Sequence, residues 1–248
     1  MNSISQDSQK LKYKCDRCRD TGFVEIKTEN KKLQPTMKIC ICQRKHKVKQ
    51  QWEKYGVDPK KVKTIAEYNA YNMPLLDKAK NLALNYVFNV KENNNWIAFL
   101  GQSGAGKSHL SIGIGAMLLK QNYEVAYMPY AEIIMELKRN TMNQEAYTKI
   151  LNKFMKAEIL VIDDLFKDKI KNNELIGDLN EADLRHIYPL LNYRYNNNLR
   201  TIISSEANLN NLRKLDEALL GRILEKCNEN IIVFETSKYN HRFRKSDN

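Results

Sequence analysis

No stretch of this 248-residue chain approaches the roughly 20 consecutive apolar residues that a bilayer-spanning helix needs. The opening residues, MNSISQDSQKLKYK, lack the apolar centre of a secretory leader. Both absences argue against a membrane or exported protein, and the expected location is the cytoplasm. Acidic residues are in deficit: 29 Asp and Glu face 41 Lys and Arg, a formal net charge of +12. That imbalance points to a polyanionic partner, because basic side chains gain affinity by releasing the counterions condensed on nucleic acid. Cysteine is scarce, with five in the chain. In a reducing compartment, thiols that cluster signal a metal more often than a disulfide. The length suffices for one full α/β core and a smaller appendage.

What is present is organised around residues 101–108, GQSGAGKS. The run before them, Trp96-Ile97-Ala98-Phe99-Leu100, reads as a buried strand, and His109 to Gln121 carries apolar residues at helical spacing. Strand, glycine loop and helix form the context in which a G-x-x-x-x-G-K-[ST] match has physical meaning. The glycines let the loop fold back so that its backbone N–H groups point inward, at the N-terminus of a helix whose dipole favours anions. The expected cradle for a nucleoside triphosphate is Gly101, Gln102, Ser103, Gly104, Ala105, Gly106, Lys107, Ser108 and His109. Lys107 reaches the terminal phosphates and Ser108 offers its hydroxyl to Mg²⁺.

Upstream, Cys15-Asp16-Arg17-Cys18 and Cys40-Ile41-Cys42 are separated by a 21-residue gap. Two close pairs with such a gap read as a zinc site, each pair placing two thiolates on a tight turn. Phe23–Ile26 and Met37–Ile39 are the expected strands of the intervening hairpin, with turns at Asp20-Thr21-Gly22 and Glu29-Asn30. The second pair is C-x-C, tighter than the common spacing, so His46 is an alternative fourth ligand to one of its cysteines. So small a module has too little core to fold alone, and zinc there would contribute folding energy.

The domain reading is residues 1–55 as a zinc-binding module, 56–72 as linker and 73–248 as the nucleotide domain; residues 1–12 are polar and expected to be disordered. Val48, Trp52 and Tyr55 fall near helical spacing. They suit either a solvated linker helix packed lightly on a neighbour or a face that docks a partner. A helix is expected over Leu75–Val90, a strand over Glu124–Met128, and amphipathic helices over Ala131–Arg139 and Gln144–Lys156. Glu158–Asp164 is a continuous apolar run ending in paired acids, the form of a Walker B strand buried on both faces. Its carboxyl end sets the acids beside the phosphates. Asp163 then holds Mg²⁺ through water, and Asp164 orients or deprotonates the attacking water. Residues 167–180 read as a flexible polar insertion, Glu181–Asn198 and Leu215–Cys227 as helices, and Arg200–Ser205 and Asn230–Phe234 as the last strands. For Tyr193-Arg194-Tyr195, packing of a helix face on the sheet is favoured over a contact with DNA. Cys227 reads as a core thiol. The fold class is α/β, a parallel five-stranded sheet with flanking helices.

Asp163-Asp164-Leu165-Phe166-Lys167, Asn192-Tyr193-Arg194-Tyr195, Thr201-Ile202-Ile203-Ser204-Ser205-Glu206 and Asp216-Glu217-Ala218 with Gly221-Arg222-Ile223 closely resemble DnaC/DnaI-type helicase loaders. These are initiator-related AAA+ proteins of bacteria and phages, and the cysteine pairs look like the zinc module of the same group. The resemblance implies an ATPase that loads a hexameric replicative helicase onto single-stranded DNA, self-associates through its AAA+ domain, and uses ATP, Mg²⁺ and Zn²⁺. It places Lys107, Asp163, Asp164, Glu206 and Arg222 in the catalytic set, with Glu206 at the sensor I position and Arg222 as an arginine finger completing a neighbour's site. Three departures stand out. Asp164 is a methylene shorter than the Glu of many AAA+ proteins. Glu206 would repel a γ-phosphate unless it binds water or pairs with a base. The lid is truncated, so its arginine is missing or replaced by Arg242 or Arg244. Together the two acids predict slow hydrolysis, with nucleotide acting more as a switch than as fuel.

Other readings remain. An IstB-type transposition ATPase shares the ATPase domain and binds duplex DNA and a transposase, but the cysteine cluster counts against it. A P-loop kinase leaves the charge unexplained. A non-catalytic zinc scaffold would tolerate loss of Lys107.

Overall fold

A computed structural model of the protein describes residues 13–26, 36–92, 94–171, 174–177 and 181–243, and structural statements refer to these. The expectations for residues 1–12, for the Glu29-Asn30 turn and for Arg244 lie outside them. The chain divides into two compact units, residues 1–47 and 48–248.

In the first unit, β1 (Phe23–Ile26) pairs antiparallel with β2 (Thr36–Ile39), Phe23 opposite Ile39 and Val24 opposite Lys38. The turn ahead of β1 is fixed by the Asp20 carboxylate, which accepts from the backbone N–H of Cys15 at 2.9 Å and of Lys14 at 3.1 Å. Directly after Cys40, helix α1 begins and runs Ile41–Lys54, so the division between the units falls within it.

The second unit continues with α2 (Pro74–Phe88), β3 (Ile97–Gly101), α3 (Lys107–Lys120), β4 (Val125–Pro129), α4 (Tyr130–Arg139), α5 (Gln144–Met155) and β5 (Ile159–Asp163). A short hairpin, β6 (Ile170–Lys171) and β7 (Glu174–Leu175), precedes α6 (Glu181–Asn196). Then come β8 (Arg200–Ser205), α7 (Leu209–Leu215), α8 (Glu217–Cys227) and β9 (Ile231–Phe234). The large sheet is parallel throughout, in the order β4-β5-β8-β3-β9. Side chains alternate faces along a strand. Ile97 and Phe99 therefore join a core with α2, α3 and Trp52, whereas Ala98 and Leu100 join a second core with α4, α5, α6 and α8. Burial on both faces is why these strands are apolar without alternation.

Two polar devices complete the sheet. Strand β4 is an edge, and an exposed edge invites non-specific strand pairing. Gln51 covers it: its amide nitrogen donates to the Tyr127 carbonyl, and its oxygen accepts the Tyr127 N–H at 2.9 Å. Trp52 adds an indole N–H to the Val125 carbonyl at 2.8 Å and is itself fully buried. Arg194, also fully buried, donates to the carbonyls of Phe154, Met155 and Ala157 at 3.0, 3.1 and 2.8 Å and to the Thr201 hydroxyl at 2.9 Å. The Phe154 and Met155 carbonyls end α5 with no partner inside it and the Ala157 carbonyl follows just beyond, so a buried guanidinium satisfies all three.

The structure departs from the sequence expectations in four places. The division falls between residues 47 and 48 rather than at 55, because Gln51 and Trp52 belong to the sheet edge. Trp52 is core rather than a lightly packed or partner-docking face, and the segment 56–72 is no free linker: Ile65, Tyr68 and Ala70 are buried in the same core. Residues 167–177 hold a helical turn and the β6–β7 hairpin, anchored by buried Ile170. The helix expected from Leu215 starts at Glu217, capped by the Asp216 carboxylate accepting from the Leu219 N–H at 2.7 Å, and α7 precedes it under its own cap, Asn208. Cys227 is buried in the core, as expected, and burial pushes its thiol up.

Trp52→Ala removes a buried indole and uncovers the edge of β4, so it should cost about 3–5 kcal/mol of unfolding free energy. Denaturant titration followed by circular dichroism measures this, and a loss below about 1 kcal/mol would contradict the packing argument.

Candidate functional site

A cleft of about 230 Å³ opens at the carboxyl ends of β3, β5 and β8. It is lined by Ser103, Gly104, Gly106, Lys107, Ser108, His109, Asp164, Lys167, Glu206 and Arg242. This is where ligands sit in open parallel sheets, beyond the strand ends and against a helix N-terminus.

The loop geometry follows from its glycines. Gly104 and Gly106 adopt φ of +75° and +82°, which side chains disfavour. A Cβ on Gly106 would also collide with the Tyr68 ring, and one on Gly104 with the Asn240 side chain. The loop is held from behind. The Tyr68 hydroxyl donates to the Ala105 carbonyl at 2.8 Å, and the His241 N–H to the Gly104 carbonyl at 2.9 Å. The Gln102 N–H donates to the Phe234 carbonyl at 2.7 Å. With its outer carbonyls occupied, the loop backs onto the start of α3 and offers an anion cradle with no room for a side chain.

Not all of the expected cradle faces the cleft. Ala105 is fully buried, Gln102 nearly so, and Gly101 is part of β3, so these three shape the loop rather than line it. His109 lines the rim while its Nε2 engages the Thr64 carbonyl at 2.8 Å. Lys107 is nearly buried and donates to the Gln102 carbonyl at 2.8 Å. Burial holds its ammonium down to about 8, opposed by the charges of Glu206 and Asp164.

On the Walker B side, the Asp163 carboxylate accepts from the Ser204 hydroxyl and, at 3.2 Å, from the Tyr127 hydroxyl. Those bonds fix its orientation. Asp164 adopts φ of +55° and its N–H donates to Ser204 Oγ at 3.1 Å, which turns its side chain into the cleft. Burial, with Asp163 beside it, pushes Asp164 upward, and Lys167 partly offsets this. The hard oxygens of Ser108 and Asp163 suit Mg²⁺.

Glu206 does not stand alone. Lys167 forms an ion pair with it and lies 3.9 Å from Asp164. Burial alone would raise Glu206, but hydrogen bonds from Lys167 and Ser103 bring it below the usual range. Lys167, Ser204 and Tyr127 were not singled out as site residues from sequence. The first two fall inside the stretches that carry the loader resemblance, which was the only available signal. Arg242 also lines the cleft.

Arg222 lies outside the cleft of its own chain. Its guanidinium sits over the Tyr188 ring at 4.9 Å and near Tyr195 at 5.9 Å. One of its buried nitrogens has no hydrogen-bond partner among the described residues.

In the first unit, one sulfur from each of Cys15, Cys18, Cys40 and Cys42 lies within 4.8 Å of the others. Cys15 and Cys40 are 3.8 Å apart, and Cys18 and Cys42 3.4 Å. Tetrahedral zinc with bonds of about 2.3 Å sets sulfurs about 3.8 Å apart, so the four fit that ion. The Cys18 N–H holds the Cys15 thiol down to about 7, whereas sharing a proton with Cys18 pushes Cys42 up to about 12. His46 is not part of this cluster.

Fold and cleft define a P-loop nucleotide-binding protein of the AAA+ type. A family model, IstB-like ATP binding protein, matches residues 40–246. The chain belongs to that family and is an IstB-like ATPase. It is 30% identical to the phage-like element PBSX protein XkdC of Bacillus subtilis, over 95% of this chain and 88% of that one. It is 25% identical to the insertion sequence IS232 putative ATP-binding protein of Bacillus thuringiensis, over 78% and 75% of the two chains. Its fold resembles the crystal structure of the DnaC helicase loader with a TM-score of 0.58 and 22% identity, covering 69% of this chain and 96% of that one. No described helix is long and apolar enough to cross a membrane.

Gly106→Ala forces a Cβ onto the Tyr68 ring at a backbone angle alanine disfavours. ATP affinity should fall at least tenfold, about 1.4 kcal/mol, in a calorimetric titration. Unchanged affinity would contradict the cradle geometry.

Proposed function

We propose that this ATPase loads a replicative DNA helicase onto single-stranded DNA, with nucleotide governing when it holds the helicase and when it lets go. The observation that carries this reading is the four-cysteine module ahead of the AAA+ domain. The family match begins at residue 40, so Cys15 and Cys18 lie outside it, whereas the similarity to the phage-element relative spans 95% of the chain. The zinc module and the start of α1 are the proposed grip on the helicase, and a +12 chain suits a DNA partner.

In this reading Lys107 binds the terminal phosphates, and Ser108 and Asp163 hold Mg²⁺, directly and through water. Asp164 orients or deprotonates the attacking water, and its short side chain keeps hydrolysis slow. Arg222 acts in trans. Its guanidinium lies outside the cleft of its own chain, held over Tyr188 and Tyr195, which leaves it to serve a neighbour's cleft. Self-association would then couple ATP to assembly. The helices expected over Ala131–Arg139 and Gln144–Lys156, Lys138 and Arg139 among their residues, are the candidate DNA contacts.

A second reading is favoured by the family match and the insertion-sequence relatives: an ATPase that binds duplex DNA and a transposase. Affinity capture and native mass spectrometry distinguish the two. A loader forms an ATP-dependent complex with the hexameric replicative helicase and loses it in Lys107→Ala. No association with the helicase under any nucleotide condition, together with ATP-dependent binding to duplex DNA, would overturn the loader assignment. The zinc module is tested separately. Metal analysis should find one zinc per chain, lost together with the module's protease resistance in Cys18→Ser, and a metal-free wild-type chain would contradict it.

A further inference from the structure

Lys167 is a cation in the nucleotide cleft that the usual P-loop groups do not account for. Its delivery is built into the backbone. The Leu165 N–H donates to the Ser204 carbonyl at 2.9 Å, and the Leu165 carbonyl accepts from the Ser205 hydroxyl. Phe166, at φ of +62°, is fully buried against Tyr130 with ring centroids 5.4 Å apart. The Lys167 N–H then donates to the Asp164 carbonyl at 3.0 Å. Backbone on both sides of the turn is therefore pinned to β8 and the core, and the Lys167 side chain lines the same cleft as Lys107.

The two lysines differ in exposure. Lys107 is 4% exposed and enclosed by the loop, whereas the Lys167 side chain is 41% exposed and carries a flexible stem. Glu206, at the end of β8, is 9% exposed and faces the same space. The cleft is thus lined by three cations, Lys107, Lys167 and Arg242, and two acids, Asp164 and Glu206. A bound triphosphate would add negative charge beside Glu206, and the exposed ammonium that neutralises that acid lines the same cleft.

We propose that Lys167 is the residue by which this cleft tells a triphosphate from a diphosphate: it leaves Glu206 for the γ-phosphate when ATP binds and returns to Glu206 with ADP. The inference rests on the reading of the cleft as the ATP site and goes beyond it by assigning the discrimination to one ion-pair exchange. A ligand shifts such an equilibrium only by its differential interaction with the two arrangements, and the γ-phosphate is the group that differs. Glu206, which alone would oppose ATP, becomes the resting partner of the cation that detects it.

The test is calorimetric titration of the full-length chain with Mg²⁺ and either ADP or a non-hydrolysable ATP analogue. Lys167→Ala should weaken the ATP analogue about tenfold and leave ADP within about twofold, and Lys167→Arg should keep most of the preference. Because Lys167→Ala also exposes the charge of Glu206, the double variant Lys167→Ala/Glu206→Gln is decisive. If Lys167 touches the γ-phosphate, the double variant still lacks the ATP preference. If Lys167 only neutralises Glu206, the double variant regains it, and the proposal is overturned. An ATP preference that survives in Lys167→Ala also overturns the proposal while leaving the ATP site intact. Wild-type protein that binds neither nucleotide removes both.

Discussion

The constraint on which the rest depends is the pinning of the glycine loop from outside. A loop with glycines at positive φ is costly to order, since glycine surrenders more backbone freedom than any other residue. Three remote contacts offset that cost: Tyr68 on Ala105, His241 on Gly104, and Phe234 on Gln102. Each contributes on the order of 1 kcal/mol net. They come from the segment before α2, from the tail after β9 and from β9 itself, so the ends of the ATPase unit wall its central loop. The tail after β9 has two roles, supporting the loop through His241 and Asn240 and presenting Arg242 to the cleft.

Charge is arranged with the same economy. Lys107 is buried, and burial lowers its ammonium, whereas Glu206 and Asp164 restore part of the charge. Asp163 is oriented by neutral hydroxyls from β8 and β4, which fix it without cancelling it. Asp164 is the acid left to respond to its surroundings, raised by burial and by Asp163 and restrained by Lys167. An acid at the end of β8 therefore need not repel phosphate, because its counter-charge arrives from the turn after β5.

Much of this was legible in the sequence for physical reasons. Strands buried on both faces give unbroken apolar runs, so β3, β5 and β8 were visible as such. The glycine loop and the cysteine pairs carry their chemistry at fixed spacing. Trp52 was not legible in the same way. Helical spacing of Val48, Trp52 and Tyr55 reports a face but not what covers it, and the partner is a strand edge more than seventy residues away. Residues 56–72 and 167–180 look polar, and single apolar residues within them, Ile65, Tyr68 and Ile170, do the anchoring. The Lys167–Glu206 pair was invisible because a lysine among lysines has no pattern; only the meeting of β5 and β8 brings it to the acid. The short α7 was missed although Asn208 and Asp216 are good capping residues, because seven residues hold barely two turns of periodicity.

The most direct measurement is an experimental structure of the full chain with Mg²⁺ and a non-hydrolysable ATP analogue. The account predicts phosphates against the backbone of Ser103–Ser108, the metal beside Ser108 and Asp163, and the Lys167 ammonium on the γ-phosphate rather than on Glu206. Nucleotide bound elsewhere on the chain, or a Lys167–Glu206 pair unbroken beside a bound triphosphate, would contradict it.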